Sequence, residues 1–303
     1  MYSLFIITRN RPSILKNTIE EIFNQTLPPQ TILIVDNSNN DATKVMFKQL
    51  NDSKLQYYKV GYNSGPAGGA KIGMTLLFEQ GYEWVVWGDD DDPPKFYDVI
   101  DSLISILPKI DINTIGIIGA VGTRYNLRNG LTIRVPDNDL IGLLEVDCVS
   151  GNMFPMLHRN LYNRNIFPNP DLFFGFEELD FCLAVKRANL KIIVPAEEIY
   201  RHRLLHNRLN LVKVYKAKSK ESLWREYYST RNIIHILLRK EKTYRAVLNI
   251  SLRTVAKMVY GFKFGYEYGR LNFYFLFKGL YDGFRNKMGM TIIPIPKKNI
   301  VKF

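Results

Sequence analysis

The sequence predicts an α/β fold in which a mostly parallel sheet is flanked by helices and followed by a helical C-terminal extension. Three observations carry this: short apolar runs alternate with segments of helical periodicity up to about Pro195, two of those runs end on acidic residues, and the composition turns basic and aromatic after about residue 210. Strand and helix alternating at such short spacing imply right-handed βαβ units.

The elements follow in order. SLFIIT, residues 3–8, is a short apolar strand, and RNRP turns it into a helix over Ile14 to Phe23 that QTLPP ends. TILIVD is a second strand finishing at Asp36 in the polar turn DNSNND. A helix Ala42 to Leu50, a strand Leu55 to Val60, a Gly-rich turn, a helix Ala70 to Glu79 and a strand Trp84 to Trp87 continue the pattern. That last strand is β-branched and aromatic, runs through Gly88 into four consecutive carboxylates, and is stopped by Pro93 and Pro94. Beyond it the sequence predicts a helix Lys95 to Leu107, a strand Thr114 to Ala120, a mixed polar stretch, the strand LLEVDCVS, a helix over EELDFCLAVKRAN and the strand LKIIVP. The expected domains are 1–210, with halves 1–120 and 121–210, and a basic, mainly helical region 211–303.

At 303 residues, with 46% hydrophobic and 13% aromatic side chains, the chain can bury a large core. Cys148 and Cys182 lack metal-ligand spacing, which argues against a zinc site or disulfide framework and favours a reducing compartment. The N-terminus reads as a first strand, not a signal peptide, and no apolar run reaches the ~18 residues of a spanning helix, so a cytosolic or peripheral protein is expected. The net charge of +12 is unevenly placed: residues 201–303 hold 23 Lys or Arg against 5 Asp or Glu, residues 1–200 hold 18 against 24. Such a basic region suits an anionic surface. Nucleic acid is the weaker partner, because no nucleic-acid-binding motif accompanies the charge.

Several residues could carry chemistry. Carboxylates at the C-terminal end of a strand stand where open α/β sheets bind ligands, and four adjacent acids invite a hard divalent cation, although an acidic run can also be a solvated turn. Asp36 ends its strand in the same way. YNSGPAGGAKIG places glycines between strand and helix, where backbone N–H groups can approach a phosphate or sugar; Ala70 and Ile72 depart from a phosphate-binding P-loop, and a tight helix-sheet contact would need the same small residues. Glu177, Glu178 and Asp180 open a helix, more acid than capping requires, and a carboxylate there can accept a proton from a hydroxyl. His202, just past the strand IIVP, could complete an oxygen-rich metal site.

Taken in order, TRNRP, QTLPPQTILIVDNSNNDAT, NSGPAGG, GDDDDPP, FFGFEELDF, VPAEEIYRH and YYSTRN resemble the inverting, GT-A-type (Rossmann-like) glycosyltransferases of family two, particularly bacterial galactofuranosyl- and rhamnosyl-transferases, over residues 3–235. The resemblance implies a metal-dependent transfer from a UDP- or dTDP-sugar to a polyprenyl-linked or polysaccharide acceptor, on the inner face of the plasma membrane. It implies that Thr8, Arg11, Asp36, Asn63, Gly68, Asp89 and Asp90 bind the nucleotide sugar, and that Asp89, Asp91 and His202, or in its place His206, hold manganese or magnesium. Glu178 falls where the family places its catalytic base, usually Asp, and the longer side chain leaves Glu177 and Asp180 open. A nucleotide-sugar pyrophosphorylase is the alternative enzyme, and it would want glycines that TRNRPS lacks. A noncatalytic basic binding module is the alternative of another class.

Overall fold

The computed structural model describes residues 2–210 and 218–293; the expected domain start at 211 and the end of that region lie outside the described residues. The chain forms two compact units, one of residues 1–124, 133–170 and 177–211, the other of residues 125–132, 171–176 and 212–303.

The first unit is built on β1 (Tyr2–Thr8), α1 (Pro12–Phe23), β2 (Ile32–Asp36), α2 (Ala42–Leu50), β3 (Leu55–Lys59), α3 (Gly65–Glu79), β4 (Trp84–Asp89), α4 (Val99–Ile104), β5 (Ile115–Ile118), the start of β6 (Gly122–Asn126), the end of β7 (Leu131–Ile133), β8 (Leu143–Glu145), β9 (Cys148–Val149), β10 (Met156–His158), α5 (Asn160–Asn163), α6 (Glu177–Arg187), β11 (Lys191–Pro195) and α7 (Ala196–Leu205). The last two residues of β6 and the first two of β7 belong to the second unit. Its main sheet has the order β3-β2-β1-β4-β10-β5-β11-β8. β3, β2, β1 and β4 run parallel, β11 runs parallel to β5, β10 is antiparallel to both its neighbours, and β8 closes the far edge antiparallel to β11.

Burial on both sheet faces explains why these strands read as apolar runs. Along β1, Leu4 and Ile6 face one layer with Leu15, Ile19 and Ile22 of α1, while Phe5 and Ile7 face the other with Met74, Leu77 and Phe78 of α3. Residues two apart share a face, as the pleat requires.

The structure differs from the sequence expectation in three places. The glycine-rich stretch is not a turn: α3 starts at Gly65, with Pro66 in its first turn, five residues before the expected start. The helix expected from Lys95 begins only at Val99, because the intervening carbonyls are used elsewhere; Phe96 O accepts from Gln25 Nε2 at 3.0 Å and Tyr97 O from the Thr26 amide at 2.8 Å. LLEVDCVS splits into β8 and β9, which join different sheets. His202, past the end of β11, is buried within α7.

The second unit contains α8 (Trp224–His235), continued through Ile236–Lys240 as a π-helical stretch, then α9 (Tyr244–Tyr260) and α10 (Tyr266–Phe284). The YYSTRN segment gives it its polar centre. Asn232 Nδ2 donates to the carbonyls of Leu172, Phe174 and Gly175 at 2.6–3.0 Å, and the fully buried Arg231 donates to Leu172 O at 2.8 Å and Gly289 O at 2.6 Å while stacking on Tyr228. These bonds saturate carbonyls of the loop 171–176, which has no ladder of its own.

A stripe of small residues lets α3 lie on β1. A Cβ at Gly69 would come within 2.7 Å of Ile7 and one at Gly73 within 2.5 Å of Phe5, so both must stay glycine despite the helix. Gly73→Ala gains about 1 kcal/mol of helix propensity but overpacks a ring that is fully buried, at a cost of about 1–3 kcal/mol. We expect net destabilisation, read as a lower denaturant midpoint at unchanged slope; a midpoint at or above wild type would show that the contact can relax.

Candidate active site

The C-terminal edge of the parallel strands gathers the acids. In register, Thr8 pairs with Asp36, Asp36 with Lys59, and Ile7 with Asp89, so these strands end together and their following loops share one rim. Loop-to-loop bonds fix that rim: the Asn37 amide donates to Thr8 O at 2.9 Å, the Asn10 amide to Ser38 Oγ at 2.8 Å, and Ser64 Oγ to Asn37 Oδ1 at 2.8 Å.

Asp36 is fully buried, accepting the Ser38 amide at 2.8 Å and the Tyr57 hydroxyl at 2.7 Å, with Lys59 Nζ 3.8 Å away. Burial raises the Tyr57 hydroxyl pKa above its usual range, and the Asp36 bond adds to it, so Tyr57 stays a donor. Asn63 caps the entry to α3 by accepting the Gly65 amide at 3.2 Å. Gly68 lies one turn inside α3, where a Cβ would stand 2.6 Å from Ser64. The structure thus gives Gly68 a packing contact within the loop-helix corner.

The acidic run is held from two sides. Thr8 Oγ1 donates to Asp90 Oδ2 and Thr18 Oγ1 to Asp90 O, each at 2.7 Å, while Arg11 bridges the carboxylates of Asp90 and Asp91. Lys95 pairs with Asp92. Asp89 has no cationic partner among the described residues. Burial pushes its carboxyl up to about 7, the Glu178 carboxylate adding to the effect and the neighbouring Asp90, Asp91 and Asp92 contributing further. Burial also pushes Asp90 up to about 6, against the opposing pull of Arg11 and Thr8.

Glu178 is the acid of the α6 triplet that acts on Asp89. It is half-buried, its carboxyl is raised by desolvation, and the Gly151 amide donates to Oε1 at 3.4 Å. Glu177 and Asp180 are buried at 4% and 2% exposure.

His202 stands at the continuation of the acidic loop. Its ring meets Phe96 edge-on at 5.1 Å between centroids, and with Pro93, Pro94 and Lys95 it lines a small cavity. Nδ1 lies 2.9 Å from Glu198 O, so Nδ1 carries the proton and Nε2 keeps its lone pair. Burial lowers its pKa, which favours that neutral form. His206 is exposed at the end of α7. Among the described residues no three His, Cys, Asp or Glu side chains are grouped to hold a metal ion, so Asp89, Asp91 and His202 are not drawn together as a finished triad. As residue types they nonetheless suit a hard cation: Asp89 is half-buried without a countercharge, Asp91 is exposed, and His202 offers a neutral imidazole.

The sequence reading missed Thr18, Asn37, Ser38, Tyr57 and Gly151. Thr18 and Tyr57 sit inside an ordinary helix and strand, and only the packing of α1 and the pairing of β2 with β3 bring them to the acids.

Residues 3–135 match the family model described as Glycosyl transferase family 2. Galactofuranosyltransferase GlfT1 of Mycolicibacterium smegmatis is 23% identical over 205 residues, which are 66% of this chain and 63% of that protein. The chain therefore matches under two thirds of that curated relative's length. Among solved structures, the mannosyltransferase PcManGT from Pyrobaculum calidifontis in complex with GDP-Man and Mn2+ has a TM-score of 0.57 at 14% identity, covering 94% of this chain and 87% of that one. S. aureus TarS 1-349 in complex with UDP has a TM-score of 0.50 at 14% identity, covering 94% and 92%. The architecture, a mainly parallel sheet between helices with a helical C-terminal region, is GT-A-like.

Tyr57→Phe removes one of the donors to the buried Asp36 carboxylate. We expect a loss of about 1 kcal/mol of stability, and a larger loss for Asp36→Ala, which strands the Tyr57 hydroxyl and the Ser38 amide together. Urea denaturation of both variants checks the order; a Tyr57→Phe variant as stable as wild type would mean that Asp36 is satisfied without it.

Proposed function

We propose that the chain is an inverting glycosyltransferase that moves a sugar, galactofuranose- or rhamnose-like, from a nucleoside-diphosphate donor to a hydroxyl of a lipid-linked or polysaccharide acceptor in cell-surface glycan synthesis. The carrying observation is the convergence, on one sheet edge, of Asp36, the Asp89–Asp91 acids and a Glu178 carboxylate close enough to raise the proton affinity of Asp89. The names of its relatives support the donor class: one is complexed with GDP-Man, one with UDP, and one transfers galactofuranose.

In this reading Asp36 and the loops around Asn63 receive the nucleoside, where a buried strand-end acid can accept ribose or base donors. Glu178 accepts the proton of the acceptor hydroxyl. The resulting oxygen forms a bond to the anomeric carbon as the bond to the nucleoside diphosphate breaks, the electron pair leaves with the diphosphate, and configuration inverts. A raised carboxyl pKa suits the base, because it strengthens proton affinity near working pH. Asp89 and Asp91, with His202 Nε2, would hold a divalent cation, which when bound neutralises charge on a diphosphate leaving group. Arg11 keeps Asp90 and Asp91 oriented in its absence.

The test is transfer from a panel of nucleotide sugars with manganese. Glu178→Gln should lower turnover roughly 100-fold or more while donor binding, read by calorimetry, persists. Asp91→Ala should lose both turnover and metal-dependent donor binding, and chelation of wild type should do so reversibly. An inactive Glu177→Gln or Asp180→Asn beside an active Glu178→Gln would move the base, and full turnover in excess chelator would remove the metal from the mechanism.

The same reading places the enzyme on an anionic membrane surface. No helix among the described residues is long and apolar enough to cross a membrane. On α9, however, Tyr244, Leu248, Leu252, Val255 and Val259 recur at spacings of four, four, three and four and are 50–70% exposed, and α10 exposes Phe273, Tyr274, Phe277, Tyr281 and Phe284. An apolar helical stripe in a strongly basic region is the pattern of an interfacial helix, with each basic residue near the surface adding about 1 kcal/mol. Wild type should sediment with anionic vesicles, less with neutral ones, and be released by salt; Leu252→Asp with Val259→Asp should weaken this at least tenfold. Equal failure to bind either vesicle at low salt would leave the stripe for another partner.

A further inference from the structure

The second unit contains a cavity of about 370 Å³, within the range of small-ligand sites, that none of the roles above uses. It opens between α8 and α9. α10 lies close against α8 outside this lining: a Cβ on Gly279 would stand 2.7 Å from Tyr227 O and one on Gly283 2.9 Å from Arg231 O. α8 and α9 touch little, whereas each packs on α10.

Each helix turns one coherent face to the cavity. Glu226, Ser229, Thr230 and Ile233 of α8, and Ile250, Arg253, Thr254 and Lys257 of α9, both follow the i, i+3, i+4, i+7 spacing of a single helical face. Leu131 and Phe176 contribute further apolar wall, and Phe176 is held there at φ +64°, a backbone region uncommon for a bulky residue. The cavity thus has a mixed lining, apolar at Leu131, Phe176, Ile233 and Ile250 and polar or charged elsewhere.

Those charges do not balance. Glu226, only 7% exposed, is the one acid in the lining; Lys218 pairs with it and Lys257 lies 3.2 Å away. Arg253, the third cation, makes no ion pair or hydrogen bond among the described residues. One carboxylate therefore faces three cations whose donors exceed what it can accept. Glu226 also does a positioning job, since it tethers two otherwise mobile lysine amines at the mouth of the cavity.

We propose that this cavity binds a phosphate or diphosphate ester, the anion held by Arg253, Lys218 and Lys257 and the organic part seated on Ile233, Ile250, Leu131 and Phe176. A guanidinium with a free fork favours the oxygens of a phosphate, and the paired ammonium groups supply point charges beside it. None of its lining residues belongs to the acidic edge of β1, β2 and β4, whose charge is of the opposite sign, and the proposal does not depend on the sugar-transfer reading.

The experiment is calorimetric titration of the full chain in EDTA with two probes: inorganic pyrophosphate, and dihexanoyl phosphatidic acid kept monomeric as a soluble lipid phosphate. Wild type should bind at least one of them at a single site. Arg253→Glu, an exposed change that leaves the helix contacts intact, should weaken binding roughly tenfold or more, while Glu226→Gln should tighten it several-fold by releasing the two lysines. Opposite signs for two changes in one cavity are not expected of mere unfolding. Binding of pyrophosphate assigns the site to a soluble phosphate ester, and binding of the lipid phosphate alone assigns it to a lipid head group. Absence of binding by either probe, or binding that survives Arg253→Glu but is lost in Arg11→Met, would overturn the proposal.

Discussion

Everything at the candidate active site follows from placing four consecutive carboxylates at the end of a buried central strand. β4 carries apolar residues on both faces and cannot retreat from the core, so its C-terminal acids are delivered into partial burial whether or not they are neutralised. Desolvation disfavours the ionised form, and neighbouring acids disfavour it further. The protein answers unevenly: Asp90 is hydrogen-bonded by Thr8 and paired with Arg11, Asp91 shares that arginine, Asp92 takes Lys95, and Asp89 receives no cation. The unevenness is informative. The most buried member, Asp90, is the best compensated, as in any structural acidic turn, and the half-buried Asp89 beside Glu178 is the one left without a cation.

Rigidity around that acid comes from the sheet and the loops together. Parallel register makes Thr8, Asp36 and Asp89 end at one level, and α3 can lie close on β1 only because Gly69 and Gly73 yield their side chains to Ile7 and Phe5. Within the second unit the loop 171–176 is likewise tied down, its carbonyls accepting from Asn232 and Arg231. Preorganised supports of this kind spare a reaction the cost of ordering its groups at the moment they are needed.

The strands and the acidic rim were legible because their signals are local: apolar runs of about five residues, proline stops, and acids at run ends. Asp36 and the acid clusters at 89–92 and 177–180 could be named from such signals, whereas Asp89 and Glu178 were singled out within them only by the family resemblance. What was not legible depends on tertiary neighbours. Gly65 to Gly69 reads as a turn by propensity, since glycine is costly in a helix, and becomes helix because close packing against β1 outweighs that cost. Lys95 to Asp98 reads as helix by pattern and remains a loop because Gln25 and Thr26 take its carbonyls. α7 carries its histidine inward, yet VPAEEIYRH shows only an acid-rich first turn, and the burial of His202 against Phe96 requires two segments about a hundred residues apart. Antiparallel β10, inserted between β4 and β5, likewise has no local signature in three residues.

The charge of the whole chain adds a last constraint. A protein with a net charge of +12 might be thought to neutralise its acidic rim from a distance, but most of the excess sits in residues 201–303. Charges farther away than a Debye length, about 8–10 Å at physiological salt, contribute little through solvent. Only cations in contact count, and at the rim these are Arg11, Lys59 and Lys95, each already paired with a carboxylate other than Asp89. Compensation of Asp89 must therefore come by proton or by a bound cation. At neutral pH the proton is held only marginally, since the carboxyl lies near 7, and a divalent cation shared with Asp91 is the alternative that would leave both acids ionised.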